Sequence, residues 1–297
     1  MSQIIVVGPG RVGTGLALTL TTAGHRVLAA IHRNPDSTSG HRFESLLGVP
    51  AISWAAAETY VRRADAILIA VPDREVADLA ERLAASGWLD AHHVVIQTAG
   101  SLSSDCLSAV SPSDAARLTL HPLQTLSDPL SAPTLLRGAT CTLDGDDRAV
   151  ALGTTWVLDW GGVPVRIRPE QRPAYHAAAV LASNALIALA ASAVEIAERT
   201  GLPDGLAALL PLMRGAIANL EGQGLPDALT GPVERGDLLT VQSHLNALRE
   251  IADDGVVRRV YAVLGLATVN VARHKGTLSE DEVQALQAIF HACLGGM

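Results

Sequence analysis

The sequence predicts an α/β protein in two parts: an N-terminal parallel-sheet domain followed by an all-helical domain. Three observations carry this reading. Short apolar runs alternate with helical periodicity through the first half, the signature of βαβ units. A glycine-rich turn, GPGRVG, closes the first of those runs. From about Glu170 onward strand signals disappear and helical periodicity takes over.

Gln3 to Val7 is a β-branched run, and Gly13 to Ala23 is apolar at helical spacing. Arg26 to Ile31 reads as the second strand, Asn34 to His41 as a polar loop. Ala64 to Val71 reads as a buried strand, Glu75 to Ala85 as an amphipathic helix and His93 to Gln97 as a strand. Ala139 to Leu143 and Val163 to Ile167 extend the sheet. Pro169 and Pro173 bracket a short charged stretch, which sets the domains at 1–168 and 169–297. Pro173 to Val194 carries no charged side chain and is long enough to cross a bilayer. It is mostly alanine and contains Tyr175, His176, Ser183 and Asn184, so it reads as a buried core helix rather than a membrane span.

Composition removes several function classes. The formal net charge is −8, with no cluster of basic residues, which argues against nucleic-acid binding. Lys275 is the only lysine. A Schiff base, a lysine general acid or a P-loop lysine would therefore have to be that residue. Cys106, Cys141 and Cys293 lie far apart without a CxxC, and they read as small buried residues in a reducing compartment. No metal site is expected. The N-terminus runs straight into IIVVG without a basic n-region, so no signal peptide is read and the expected location is cytoplasmic.

GPGRVG occupies residues 8–13, ending the first strand and opening the first helix. Gly8 permits the tight turn, Gly10 a close approach to a pyrophosphate, and Gly13 close helix–strand packing. Pro9 sits in the turn, and Arg11 and Val12 start the helix whose free N–H groups face the anion. This is the fingerprint of a Rossmann dinucleotide-binding domain. The second strand ends in His32, Arg33 and Asn34, with no carboxylate before Asp36. Arg33 is suited to a ribose 2′-phosphate, which predicts NADP(H) over NAD(H).

GPGRVG, VPD (71–73), QTAGSLSSDCL (97–107), HPLQT (121–125), SNALIAL (183–189) and LTGPVERGD (229–237) together resemble a bacterial family of Rossmann-like NADP oxidoreductases. Its helical C-terminal domain was long catalogued as of unknown function. More distantly the layout resembles the 6-phosphogluconate dehydrogenase-like superfamily. That group includes ketopantoate reductase, pyrroline-5-carboxylate reductase and prephenate dehydrogenase. The resemblance implies a 6-phosphogluconate dehydrogenase-like helical domain, substrate bound in an interdomain cleft and a homodimer formed through the helices. It adds Val71, Pro72 and Gly100 to the cofactor site and Gln124 to the substrate site. One departure stands out. Hydroxyacid dehydrogenases and the usual ketopantoate reductases carry a lysine one helical turn before an asparagine. If Asn184 matches that asparagine, the lysine position holds Val180.

Hydride transfer needs a donor that polarises the reacting carbonyl or imine. His121 is the first candidate: it follows the strand-like RLTL, and Pro122 biases it toward a loop at a strand's C-terminal end. The alternative is a structural histidine bonded to backbone. His176 and Asn184 are eight residues apart, hence on roughly one face of a helix, with Ser183 adjoining. Arg235 is either a clamp for a substrate carboxylate or the partner of Asp237 in an internal ion pair. The leading expectation is an NADPH-dependent reductase of a small 2-oxo acid, ketopantoate-like. An imine or prephenate-type oxidoreductase is the close alternative. A non-catalytic NADP-binding regulatory protein is the reading from a different class.

Overall fold

The structure is a computed structural model that describes residues 1–251 and 255–295. Two compact units are present, Met1–Ser183 and Asn184–Met297.

The first unit is built on an eight-stranded sheet. In chain order its elements are β1 (Gln3–Val7), α1 (Arg11–Thr22), β2 (Arg26–Ile31), α2 (Thr38–Leu47), β3 (Ala51–Ile52), α3 (Glu58–Arg63), β4 (Ala66–Ile69), α4 (Asp73–Ala85), β5 (Val94–Gln97), β6 (Ala116–Pro122), α5 (Ala132–Leu135), β7 (Thr140–Gly145), α6 (Asp147–Asp159), β8 (Val163–Arg166) and α7 (Arg172–Ala182). The spatial order is β3-β2-β1-β4-β5-β6-β7-β8. Strands β1 to β6 pair in parallel, β6 and β7 antiparallel, and β7 and β8 in parallel. The antiparallel pair departs from the all-parallel sheet read from the sequence.

Both faces of the sheet are covered, which is why its strands read as unbroken apolar runs. Ile4, Val6, Leu68 and Ile96 face one core with Leu16 and Trp156. Ile5, Val7, Ile67 and Val95 face the other with Val76 and Leu83. The chain order reverses between β1 and β4, the topological switch point at which open α/β sheets bind ligands.

Several expectations are corrected. Part of the polar loop expected at 34–41 is the start of α2. Ser37 caps that helix by accepting from the Gly40 N–H, and Gly48 ends it in a left-handed conformation. Strand β6 continues through His121 and Pro122, so His121 is a strand residue opposite Thr142 rather than a loop residue. The expected domain boundary at 168/169 marks where strands stop. The compact first unit runs on to Ser183, because α7 is anchored to the sheet by the buried Arg172–Asp144 pair.

The second unit holds α8 (Asn184–Arg199), α9 (Gly205–Gln223), α10 (Leu238–Ile251), α11 (Val256–Lys275) and α12 (Glu280–Gly295). Its core is Val241, Leu245, Val269, Leu286 and Phe290, among others. Phe290 packs against Gly265, where a Cβ would overlap the ring. Lys275 bonds the Leu229 carbonyl (2.8 Å) and the Glu234 carboxylate (3.2 Å), which gives the lone lysine a structural post.

The apolar stretch expected as one buried helix is neither buried nor continuous. Pro169–Arg199 is long and apolar enough to cross a membrane by length and composition, and no residue of its apolar window is buried. Ser183 (φ −124°, ψ −76°) interrupts it between α7 and α8. Leu181 and Ile187 are each 71% exposed. Alanine-rich apolarity points to burial within the chain, but here much of the surface is left open.

Candidate functional site

The glycine turn has the geometry its sequence implies. Gly8 sits at φ +90°, and a Cβ there would strike the Ala70 carbonyl and Val71. A Cβ at Gly13 would strike the Gly8 carbonyl oxygen. Gly10, by contrast, faces open space, with nothing within 4 Å of its missing Cβ. It is also the N-cap of α1, a 12-residue helix with no side-chain cap and no acidic residue in its first turn. Uncapped N–H groups beside an open glycine make a cradle suited to a pyrophosphate, so these residues fit a dinucleotide.

Two cavities meet across this turn, sharing Gly10, Ala70, Val71 and Pro72. The larger, about 720 Å³, runs past Ile31, His32 and Arg33 at the end of β2 and past Glu75 and Asp78 of α4. The smaller, about 380 Å³, is lined by Arg11, Val12, Gly100, His121, Gln124 and His176, among others. The structure thus brings together, at one crevice of the first unit, all the sequence-derived cofactor residues except Gly13, which packs beneath the turn. It also gathers His121, His176 and Gln124 there.

At the β2 end, the His32 ring is held by the hydroxyls of Ser37 and Ser39 and accepts from the Asn34 N–H (2.9 Å). Arg33 is 85% exposed at its side chain and pairs with Glu75 at 2.8 Å. The sequence reading found no carboxylate near Arg33 because Glu75 arrives from α4, 42 positions later.

At the other end three rings converge. Nδ1 of His121 lies 2.8 Å from the Tyr175 hydroxyl, with the rings edge to face. The His176 ring meets His121 edge to face, at 5.7 Å between centroids. Gly100 is the floor: a Cβ there would clash with Nε2 of His121 (2.7 Å) and with Nδ1 of His176. Among the described residues, that buried Nδ1 of His176 has no hydrogen-bond partner. Gln97 shapes the loop carrying Gly100, donating to the Leu102 carbonyl (2.9 Å) and to Thr119 Oγ1 (2.7 Å). Burial first, then the charges of His176 and Arg172, lower the His121 pKa to about 4 against an opposing pull from Asp73. Its ring is therefore neutral at physiological pH.

Arg172, fully buried, ties α7 to the sheet. Its Nε bonds the buried Asp144 carboxylate of β7, whose other oxygen accepts from the Ser104 N–H (2.8 Å). Tyr175 and His176 follow one turn later on α7. Arg172, Tyr175 and Asp144 were not singled out in the sequence. The available signals were a charged residue at the start of an apolar helix and an aspartate inside a strand.

The remaining candidates do not all gather. Ser183 donates to the Ala179 carbonyl (2.7 Å) at the break between α7 and α8. Because the helix breaks there, the same-face argument linking His176 to Asn184 does not hold; Asn184 opens the second unit. Arg235 lies in that unit, in the turn before α10. Asp237 caps α10 through the Thr240 N–H (3.0 Å) and hydroxyl (2.6 Å), which hold its carboxyl below the ordinary value with Arg235 and His244 assisting. Burial pushes the Cys106 thiol up to about 11 and Cys141 higher still. Asp90, His92 and His93 bring ligand atoms within 4.8 Å of one another. His93 is already committed there, Nε2 to the Val61 carbonyl (3.0 Å) and Nδ1 to the Asp90 N–H (3.0 Å).

The fold and the crevice define the class: a Rossmann-like domain followed by a helical domain. Residues 2–122 match the Rossmann-like domain family, and residues 139–268 match a domain of unknown function, DUF2520. Among solved structures the chain is similar to a Thermotoga maritima protein, with 22% identity, 92% of this chain and 99% of that one covered, and a TM-score of 0.69. It is similar to a Bacteroides fragilis protein described as a proposed NADP oxidoreductase, with 20% identity, coverages of 90% and 97%, and a TM-score of 0.70. It is also similar to a reductive aminase from Aspergillus terreus, solved with NADPH and ethyl-5-oxohexanoate. That pair shares 17% identity over 95% and 98% of the two chains, with a TM-score of 0.61. These likenesses establish the fold. No curated protein matches the chain in sequence.

Proposed function

We propose that the protein is an NADP(H)-dependent oxidoreductase that reduces a small 2-oxo acid. The observation that carries this reading is the crevice itself, with a phosphate cradle in the middle and a neutral, hydrogen-bonded His121 at one end. When bound, the nicotinamide cofactor supplies the hydride. The chain's own residues do the rest. The α1 N-terminus and Gly10 receive the pyrophosphate, and His32, Arg33 and Ser39 surround the ribose end. At the far end, His121 polarises the substrate oxygen. A neutral imidazole donates one N–H and accepts at the other nitrogen, so the bond it makes to Tyr175 fixes which nitrogen faces the substrate.

A C=N substrate is the second reading. Similar folds solved to date include imine reductases and pyrroline carboxylate reductases. A protonated imine needs no acid on reduction, whereas a carbonyl does, and the donor at His121 favours the carbonyl. The exposed apolar surface of α8 and α9, with Ile187 and Leu212 each 71% exposed, supports a homodimer through the helical unit. A cytoplasmic location fits such an enzyme.

The test is direct. NADPH and NADH affinities are measured by fluorescence titration, and branched 2-oxo acids and cyclic imines are followed by NADPH absorbance. Turnover of a 2-oxo acid supports the reading. Tight NADPH binding with neither substrate class reduced would instead favour a cofactor-binding regulatory protein.

A further inference from the structure

The chain has no lysine at the crevice and His121 is neutral, so the proton needed after hydride transfer has no obvious source. A neutral imidazole on its own is a poor acid, because losing its one N–H proton would leave an imidazolate. It becomes a competent donor only when its second nitrogen is refilled as the first is emptied.

The geometry supplies that partner. The Tyr175 hydroxyl is 2.8 Å from Nδ1 of His121, and the opposite nitrogen, Nε2, is turned toward Gly100 at the crevice. Tyr175 is half-buried, and its hydroxyl is the end that meets His121. We propose that Tyr175 and His121 form a proton relay into the crevice, a deepening of the oxidoreductase reading on which it rests. In the resting state the phenol donates to Nδ1, which places the imidazole proton on Nε2. As the carbonyl carbon takes up hydride, its π electrons move to oxygen. That oxygen takes the Nε2 proton, Nδ1 takes the phenolic proton, and the tyrosinate regains a proton from water. The ring ends with its proton on Nδ1 and returns to the starting tautomer by turning over or by exchange with solvent.

Proton affinities run in the required direction. An alkoxide is about as basic as hydroxide, whose conjugate acid has a pKa of about 15.7. A phenol has a pKa of about 10. Burial and the Cys141 thiol raise the Tyr175 phenol, with the nearby Thr142 hydroxyl and Arg172 opposing the rise. Besides the Tyr175 hydroxyl at Nδ1, three charged or titratable groups bear on His121: His176, Arg172 and Asp73. The first two disfavour the imidazolium and only Asp73 favours it. The ring therefore works as a shuttle between two neighbours rather than as a stored acid. His176 belongs to the acceptor side: its unpartnered Nδ1 faces the same point above Gly100 and is available to a substrate heteroatom.

The experiment begins on the free protein, so it does not depend on the substrate being found. ¹⁵N spectra of histidine-labelled protein, assigned with His121→Gln, are expected to show His121 protonated at Nε2. In Tyr175→Phe the ring is expected to redistribute toward Nδ1–H, with an unchanged thermal midpoint confirming the fold. A wild-type ring protonated at Nδ1, or a tautomer indifferent to Tyr175→Phe, overturns the relay. On a 2-oxo acid that is turned over, Tyr175→Phe is expected to lower kcat about 10²- to 10⁴-fold while leaving the NADPH Kd unchanged. It should also abolish the solvent isotope effect contributed by two protons in flight. An unchanged kcat overturns the relay even where the tautomer agrees. Failure of every 2-oxo acid and imine to react counts against the oxidoreductase reading, and the spectra still decide the hydrogen-bond polarity the relay requires.

Discussion

Arg172 and Asp144 are bonded to each other in the interior of the first unit, 28 residues apart in sequence, and neither is reached by solvent. The pair joins the first turn of α7 to β7, and so it sets where Tyr175 and His176 stand relative to His121 on β6. Removing one partner of a buried ion pair leaves an uncompensated charge. Arg172→Met alone is expected to cost about 3–5 kcal/mol in urea denaturation. Combined with Asp144→Leu, much of that loss should return, although the Ser104 N–H loses its acceptor. Equal stability of Arg172→Met and the wild type would show that the pair does not anchor α7.

Gly100 sets the distance between loop and histidines. Gly100→Ala inserts a methyl group against Nε2 of His121 and Nδ1 of His176. Displacing catalytic groups by about 1 Å costs on the order of 100-fold. Turnover is expected to fall by at least that much while NADPH affinity stays close to wild type, since the phosphate cradle at Gly10 is untouched. A parallel loss of cofactor affinity would place Gly100 in cofactor binding instead.

The Arg33–Glu75 pair competes with a 2′-phosphate. Glu75→Gln frees the guanidinium and is expected to tighten NADPH, and Arg33→Ala to weaken it. Both effects should be about fivefold, equivalent to ~1 kcal/mol at so exposed a site. NADH affinity should barely move in either variant. Calorimetric titration of both cofactors reads the difference, and a wild type that binds the two equally rejects the NADP assignment.

His121 also leaves a mark on acid stability. Its folded pKa, about 4, lies below the ordinary histidine value of 6.5, so the unfolded chain binds the proton first as pH falls. The contribution is fully present above pH 6.5 and is lost progressively toward pH 4. It amounts to about 3 kcal/mol. His121→Gln should flatten this part of the curve of thermal midpoint against pH. A His121 ring that titrates near 6.5 by NMR contradicts the burial-driven shift.

The apolar surface of the helical unit predicts self-association. Sedimentation equilibrium is expected to give a dimer, and Ile187→Glu with Leu212→Glu a monomer. A monomeric wild type at micromolar concentration would remove the second copy as the cover for these helices.

The sheet was legible because each strand is buried on both faces, so β1, β2 and β4 stand out as uninterrupted apolar runs. Helix α2 was not, because only Gly40 and Phe43 of its ten residues are buried and it begins in a cluster of serines and threonines. The glycine turn was readable because its constraints are local: a positive φ at Gly8 and open space at Gly10. The histidine end was readable only in part. His121 stands out because it follows the strand-like RLTL and precedes Pro122, and His176 as a polar residue on an apolar helix. Tyr175 was passed over because its role depends on a strand 54 residues away. The break at Ser183 was hidden by the alanines on either side, which are good helix formers and gave no sign of interruption.

Lys275 carries the only side-chain amine in the chain, and it is held by Glu234 and the Leu229 carbonyl with about a fifth of its side chain exposed. Acylating reagents therefore have two targets, this amine and the chain's N-terminus. The rate of labelling at position 275 then becomes a single-channel clock for local opening of the helical unit. An amine crosslinker can span two copies only through those same two points, so a lysine-directed crosslink map would be nearly blank whatever the assembly.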